Sequence, residues 1–248
     1  MTDFGLIFVL LLPIVAYMYA NVGHGGASAY LAVLVLAGIS PEFLRPAAWI
    51  MNLFVAGGAF YAFYLAGHFK SRLLMPFLIS SVPMAFFTGS LDIGPLLFKL
   101  LLGTCLLIAA LRVWCVFNFL LSPQQDIKDP SFPGALVAGS GIGAVAGMIG
   151  IGGGILLSPL IILMGWGSIK ESAGVAAAFI FINSLAGLTG HFLINEINLH
   201  PHLPLWILLV VTGGWIGARQ GSFVLTPMAV QRMLGVVMVI AAFKLFLL

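Results

Sequence analysis

Charge is the scarcest property of this sequence. Only 7% of its 248 residues are charged, 10 Lys and Arg against 7 Asp and Glu, where a soluble domain carries about a quarter. So few charges cannot cover the surface of a 26.3 kDa soluble globule. Disorder is excluded as well, because 62% of the residues are hydrophobic. The pI of about 9.0 looks basic, yet the net charge is only +3. With no Lys/Arg cluster in the chain, a nucleic-acid partner is excluded. Cysteine is nearly missing too. Cys105 and Cys115 share one apolar run and cannot pair along it, so neither a disulfide framework nor a Cys metal site is expected.

Familiar catalytic motifs are also missing. There is no Gly-Lys-Ser/Thr phosphate loop, no His-Glu-x-x-His zinc pair and no Gly-x-Ser-x-Gly nucleophile elbow. No intramembrane carboxylate pair stands out. The expectation is therefore no catalytic residue, no metal and no cofactor, and not an enzyme.

What is present is long apolar sequence, the mark of a polytopic helical membrane protein in a lipid bilayer. Ten apolar segments can be marked, at about 4–20, 27–39, 41–66, 72–89 and 94–121, then about 134–149, 155–166, 169–193, 203–220 and 227–247. The start lacks a basic leading region and a small-residue cleavage site, so it is expected to stay as a first membrane segment. The longest polar, proline-rich stretch is SPQQDIKDPSFP. It divides the chain into a first membrane repeat (1–121), a linker (122–133) and a second membrane repeat (134–248).

The halves share markers in one order. Gly23-His24-Gly25-Gly26 corresponds to Gly150-Ile151-Gly152-Gly153-Gly154. Each is followed by a short apolar segment and then a capping serine, Ser40 or Ser168. The next helix carries Asn52 or Asn183 and closes on Gly-His-Phe. The short segments fall well below the roughly 20 residues that span a bilayer core. They read as half-helices meeting their predecessors at buried glycine loops. Such segments in matching places of two halves point to a transporter site. The fold expected is an all-α polytopic membrane protein of two inverted repeats. Each would have about five helical segments, with short Gly-broken half-helices or re-entrant hairpins.

Charge sets the orientation. With each Gly-linked pair as a hairpin, Lys70, Arg72, Arg112, Lys128, Lys170, Arg219 and Arg232 share one side, against Arg45, Lys99 and Lys244. That excess places the linker inside and both termini outside a bacterial-type cytoplasmic (inner) membrane, in a multi-pass arrangement.

A Gly-rich loop opening a helix exposes backbone N–H groups and the positive end of the helix dipole. The candidate substrate-binding groups are Gly25, Gly26, Ala27 and Ser28 in one half and Gly152, Gly153 and Gly154 in the other, with the amides of Asn52 and Asn183. The alternatives are close helix packing for the glycines and interhelical hydrogen bonds for the asparagines. His24 stands inside a Gly loop as a candidate ligand contact or proton-coupling group, or as the occupant of a polar corner. His68 and His191 read as helix C-terminal caps.

The run Met148 to Leu160, MIGIGGGILLSPL, resembles the signature of the sulfite exporter TauE/SafE family, also called TSUP. So do Phe181 to His191, Met51-Asn52-Leu53-Phe54, Pro76-Phe77 with Ser81 and Pro83, and Gly213-Gly214 through Gly217-Ala218-Arg219. The chain departs from the pattern at Gly23-His24-Gly25-Gly26-Ala27, where the family often has a third consecutive glycine. The resemblance implies a transporter of a small inorganic or organosulfur anion such as sulfite, a sulfonate, sulfoacetate or thiosulfate, and the two repeats lead us to expect a secondary permease working by alternating access. The residues alone reach a helical carrier for an anion. An anion channel and an intramembrane enzyme are the rival readings, and a homo-oligomer stays open. A cysteine introduced at Gln125 should label from the cytoplasmic face, and labelling from outside would reverse the orientation.

Overall fold

The computed structural model describes residues 9–94, 96–105, 107, 127–196 and 198–224. The expected last segment, 227–247, lies outside them, as does Cys115. The described regular structure is helical throughout, in nine helices: α1 Leu12–Asn21, α2 Ala27–Leu36, α3 Pro41–Leu65, α4 Ser71–Gly89, α5 Leu96–Cys105, α6 Phe132–Ile149, α7 Gly154–Leu163, α8 Ile169–Ile194 and α9 Leu203–Phe223. Four of them, α3, α4, α6 and α8, are long and apolar enough to cross a membrane. Their outer faces carry large apolar side chains such as Val137 (76% exposed) and Leu193 (70%), a surface suited to lipid rather than water. The chain is a multi-pass helical membrane protein.

Local sequence explains the helix boundaries. Ser168 and Glu171 form a full capping box at the start of α8: the Glu171 N–H donates to Ser168 Oγ, and the Ser168 N–H to Glu171 Oε2. Ser40 occupies the same place before α3 but makes no side-chain cap, and Pro41 and Glu42 open that helix. The two Gly-His-Phe markers diverge. Gly67 turns the chain after α3 has ended, whereas Gly190 to Phe192 lie inside α8. Helices α2 and α7 have 10 residues each, about 15 Å of rise, or half of a roughly 30 Å hydrocarbon core. Each begins on a left-handed glycine, Gly26 (φ 92°) or Gly153 (φ 79°), a conformation that other residues adopt only with strain.

Glycine also decides how the long helices pack. Gly139, Gly143 and Gly147 of α6 press on the backbone at Phe77, Ser81 and Ala85 of α4. Gly213, Gly217 and Gly221 of α9 press in the same way on Pro13, Tyr17 and Asn21 of α1. Four-residue steps keep each stripe on one helix face. In both seams the numbers rise together, so the paired helices run parallel. Between them α3 and α8 run antiparallel, with Trp49 against Gly187 and Gly57 against Phe181. Exchanging α1–α4 for α6–α9 turns the α4/α6 contact into α9/α1, α4/α8 into α9/α3, and α2/α3 into α7/α8.

The short helices turn back. The Lys128 N–H donates to Gly165 O (3.0 Å), which joins the chain before α6 to the chain after α7 at one end of the bundle. The α6–α7 pair is therefore a hairpin, not one broken spanning helix. Gly150 at its tip lies against Arg45 at the start of α3, while Gly23 after α1 lies against Ala173 at the start of α8. Because α3 and α8 are antiparallel, these loops approach from opposite ends.

A Cβ at Gly143 would collide with Ser81 O, whereas Gly141 has open space. Gly143→Val should lower stability in detergent by about 1–3 kcal/mol. Gly141→Ala, two residues away, should hold or raise it, by up to about 1 kcal/mol. Thermal unfolding of the two purified variants reads the difference.

Candidate functional site

The two glycine loops meet on α3 and α8 at Asn52, which is fully buried. Its Oδ1 accepts the Ala27 N–H of the first loop at 3.1 Å. Its Nδ2 donates to Ser184 Oγ on α8 at 3.2 Å. A Cβ at Gly25 would collide with Asn52 Oδ1, and one at Gly152 would stand 3.1 Å from Asn52 Nδ2. The same two positions crowd Ile180 Cγ2, at 3.0 Å and 2.7 Å. Both loops thus converge on Asn52 and Ile180, and only glycine leaves room for them to do so.

The loop amides are buried and mostly uncommitted. Gly25, Gly26 and Ser28 in one half, and Gly152, Gly153 and Gly154 in the other, donate no N–H to another described residue. Buried backbone donors almost always have partners. Six at two facing loops form a concentrated set of donors at the starts of two helices, where the dipole is positive.

Asn183 is 1% exposed and does not repeat the Asn52 contacts. Its Nδ2 donates to Phe179 O one turn back in α8 (3.0 Å), and its Oδ1 has no donor among the described residues. Each amide nitrogen still holds a second N–H. His24 is buried, with Nδ1 2.9 Å from Val22 O and its ring edge-on to Tyr19 at 6.5 Å. A carbonyl only accepts, so that Nδ1 carries the proton.

Arg45, counted with Lys99 and Lys244 on the side opposite the linker, is not a solvated charge. It lies in α3 and is 8% exposed. Its Nη1 donates to Leu91 O (2.9 Å), and its Nη2 donates to Gly89 O (3.0 Å) and Gly147 O (3.2 Å). It thus caps the C-terminal ends of both α4 and α6, where a cation complements free carbonyls. The guanidinium lies 5.1 Å from the centre of the Trp49 ring. It also lines a cavity of about 530 Å³ beside Asp92, Lys99, His191 and Asn195. His191, inside the last turn of α8, packs on Trp49 at 5.5 Å. The available signal was the spacing of Arg45, Trp49 and Asn52, four and then three residues apart on one helical face.

A multi-pass helical bundle with re-entrant hairpins meeting at buried donors is built as a membrane transporter, with the irregular backbone kept away from lipid. The family model for Sulfite exporter TauE/SafE matches residues 7–245. The chain belongs to that family. It is 33% identical over 236 residues to "Probable membrane transporter protein y4hK" of Sinorhizobium fredii, covering 94% of each chain. It is 30% identical over 81 residues to "Probable membrane transporter protein YunE" of Bacillus subtilis, covering 33% of this chain and 28% of that one. No solved structure matches. The chain is a membrane transporter, and its family is one of transporters rather than enzymes.

Asn52→Leu keeps the bulk but removes the acceptor of Ala27 and the donor to Ser184. It should cost about 1–3 kcal/mol of stability, and Ser184→Ala clearly less, as read by thermal unfolding in detergent. Equal losses would remove Asn52 from its place as the tie between the loops.

Proposed function

We propose that the protein is a secondary carrier for a small sulfur-containing oxyanion, such as sulfite, thiosulfate or a sulfonate, bound between the two glycine loops. The observation that carries this reading is the set of buried loop N–H groups with no acceptor among the described residues, on two loops that converge at Asn52. An oxyanion is rich in acceptors and would satisfy several of these donors at once. The remaining N–H of Asn52 and of Asn183 would add to them, and Ala27 would hold the first loop in place through Asn52.

The halves act as inverted repeats in this reading. Its support is the exchange of helix contacts between halves and the approach of the hairpins from opposite ends. Movement of one repeat against the other would open the loops to each side in turn. The linker faces the cytoplasm, the termini lie outside, and the membrane is the inner one, as the lysine and arginine distribution favours. His24, beside the first loop, is the group proposed for proton coupling.

Proteoliposomes should show saturable uptake of labelled sulfite or thiosulfate and counterflow against the unlabelled anion. A steady current with no counterflow would make the protein a channel. Asn183→Ala should reduce flux at least about tenfold, the equivalent of one lost charge-assisted hydrogen bond. Unchanged flux in both Asn52→Ala and Asn183→Ala would remove the amides from the site.

A further inference from the structure

The cavity of about 530 Å³ at the start of α3 does not reach the glycine loops, yet one seam joins them. On α3 the seam descends from Arg45 through Trp49 to Asn52. On α8 it descends from His191 through Gly187 to Ser184. Spacings of four and three residues hold each set on one helical face. The mouth of the cavity carries the carboxylates of Glu42, Asp92 and Glu196, all exposed to solvent. Lys99 lines it at intermediate exposure. Arg45 is the buried charge in the wall. Rim charges in contact with water are screened, whereas a buried cation is not.

Two buried donors on this seam have no acceptor among the described residues, Arg45 Nε and Trp49 Nε1. Leaving such groups unpaired costs free energy, and a ligand rich in acceptors relieves it. The Trp49 ring fills the seam between the cavity and the glycine loops. It is 0% exposed and packs on Gly187 so closely that a Cβ there would be 2.9 Å from Nε1. One turn below it, Asn52 hydrogen-bonds Ser184 and the first loop, and Gly152 of the second loop lies beside it.

We infer that the α3–α8 seam is the anion's route from the cavity to the glycine loops, with Arg45 as its first binding group and the Trp49 indole as the barrier across it. The ligand class is a compact oxyanion. Arg45 Nε–H receives it, and the indole N–H receives it next as the ring swings from Gly187. Gly187 is a specificity position in this scheme, because any side chain there would jam the ring. The inference rests on the anion-carrier reading.

The test uses the whole chain in proteoliposomes, with Cys105→Ser, Cys115→Ser and Ser184→Cys. The probes are two small thiol reagents of opposite charge, a sulfonatoethyl and an aminoethyl methanethiosulfonate. Ser184→Cys should react slowly while Trp49 is present and at least about tenfold faster with Trp49→Ala. Trp49→Leu serves if Trp49→Ala does not insert. A buried cysteine placed at Ala177 must stay slow in the opened variant, which separates opening from unfolding. Arg45→Gln should lower the ratio of sulfonate to ammonium reaction rates by about tenfold, and Arg45→Lys should preserve most of it. An unchanged rate when Trp49 is opened, or an unchanged ratio in Arg45→Gln, overturns the inference. Labelled sulfite flux in the native chain is read in parallel. Flux without the labelling pattern sinks the seam alone, and the pattern without flux sinks the carrier reading and the anion route with it.

Discussion

Asn52 holds the two halves of this protein at one point. Its carbonyl oxygen takes an N–H from the first glycine loop, and its amide reaches across to α8. Buried amides of this kind need partners, and each such interhelical bond contributes on the order of 1 kcal/mol. The two re-entrant loops need such a tie because their backbone is irregular where lipid tolerates no irregular backbone. They are kept inside by α3 and α8, the antiparallel pair at the centre, and the short helices extend from them to opposite ends. The same constraint explains Arg45. The last carbonyls of α4 and α6 must be satisfied, and one guanidinium with a forked set of donors does this for both.

The glycines serve two physical purposes. At Gly26 and Gly153 the backbone is left-handed, which starts a helix directly from a tight loop. Along α6 and α9 the glycines are ordinary helical residues that let backbones approach closely. Packing of this kind replaces the hydrophobic effect, which supplies no force between helices in lipid. The abundance of glycine thus reflects seams between helices as well as loops. Both purposes meet in the middle, where Gly25 and Gly152 leave space for the Asn52 amide.

Much of the plan was legible from periodicity and spacing. The half-helices stood out because their apolar runs are too short to span, and the capping box of α8 was visible in Ser168 and Glu171. Other features were invisible for definite reasons. Asn52 and Asn183 occupy matching places in the sequence, yet one binds a loop and the other turns to its own helix. An amide's partner depends on what packs opposite it, and sequence spacing does not record that. Gly190-His191-Phe192 resembles the helix-ending Gly67-His68-Phe69 but stays helical, because α8 continues to Ile194. The charge count uses only the side on which Arg45 lies, and its burial as a cap for two helices depends on where α4 and α6 end.

The sequence by itself determined the solvent this protein lives in, its helical class, its two glycine loops and its family, since these follow from composition, run length and local motifs. Only the tertiary structure decided that the short helices fold back as hairpins, that both loops meet at Asn52, and that Arg45, Trp49 and His191 line one seam above it. These are contacts between segments far apart in the chain. They depend on which helix faces which, and that is set by packing of whole surfaces rather than by any local signal.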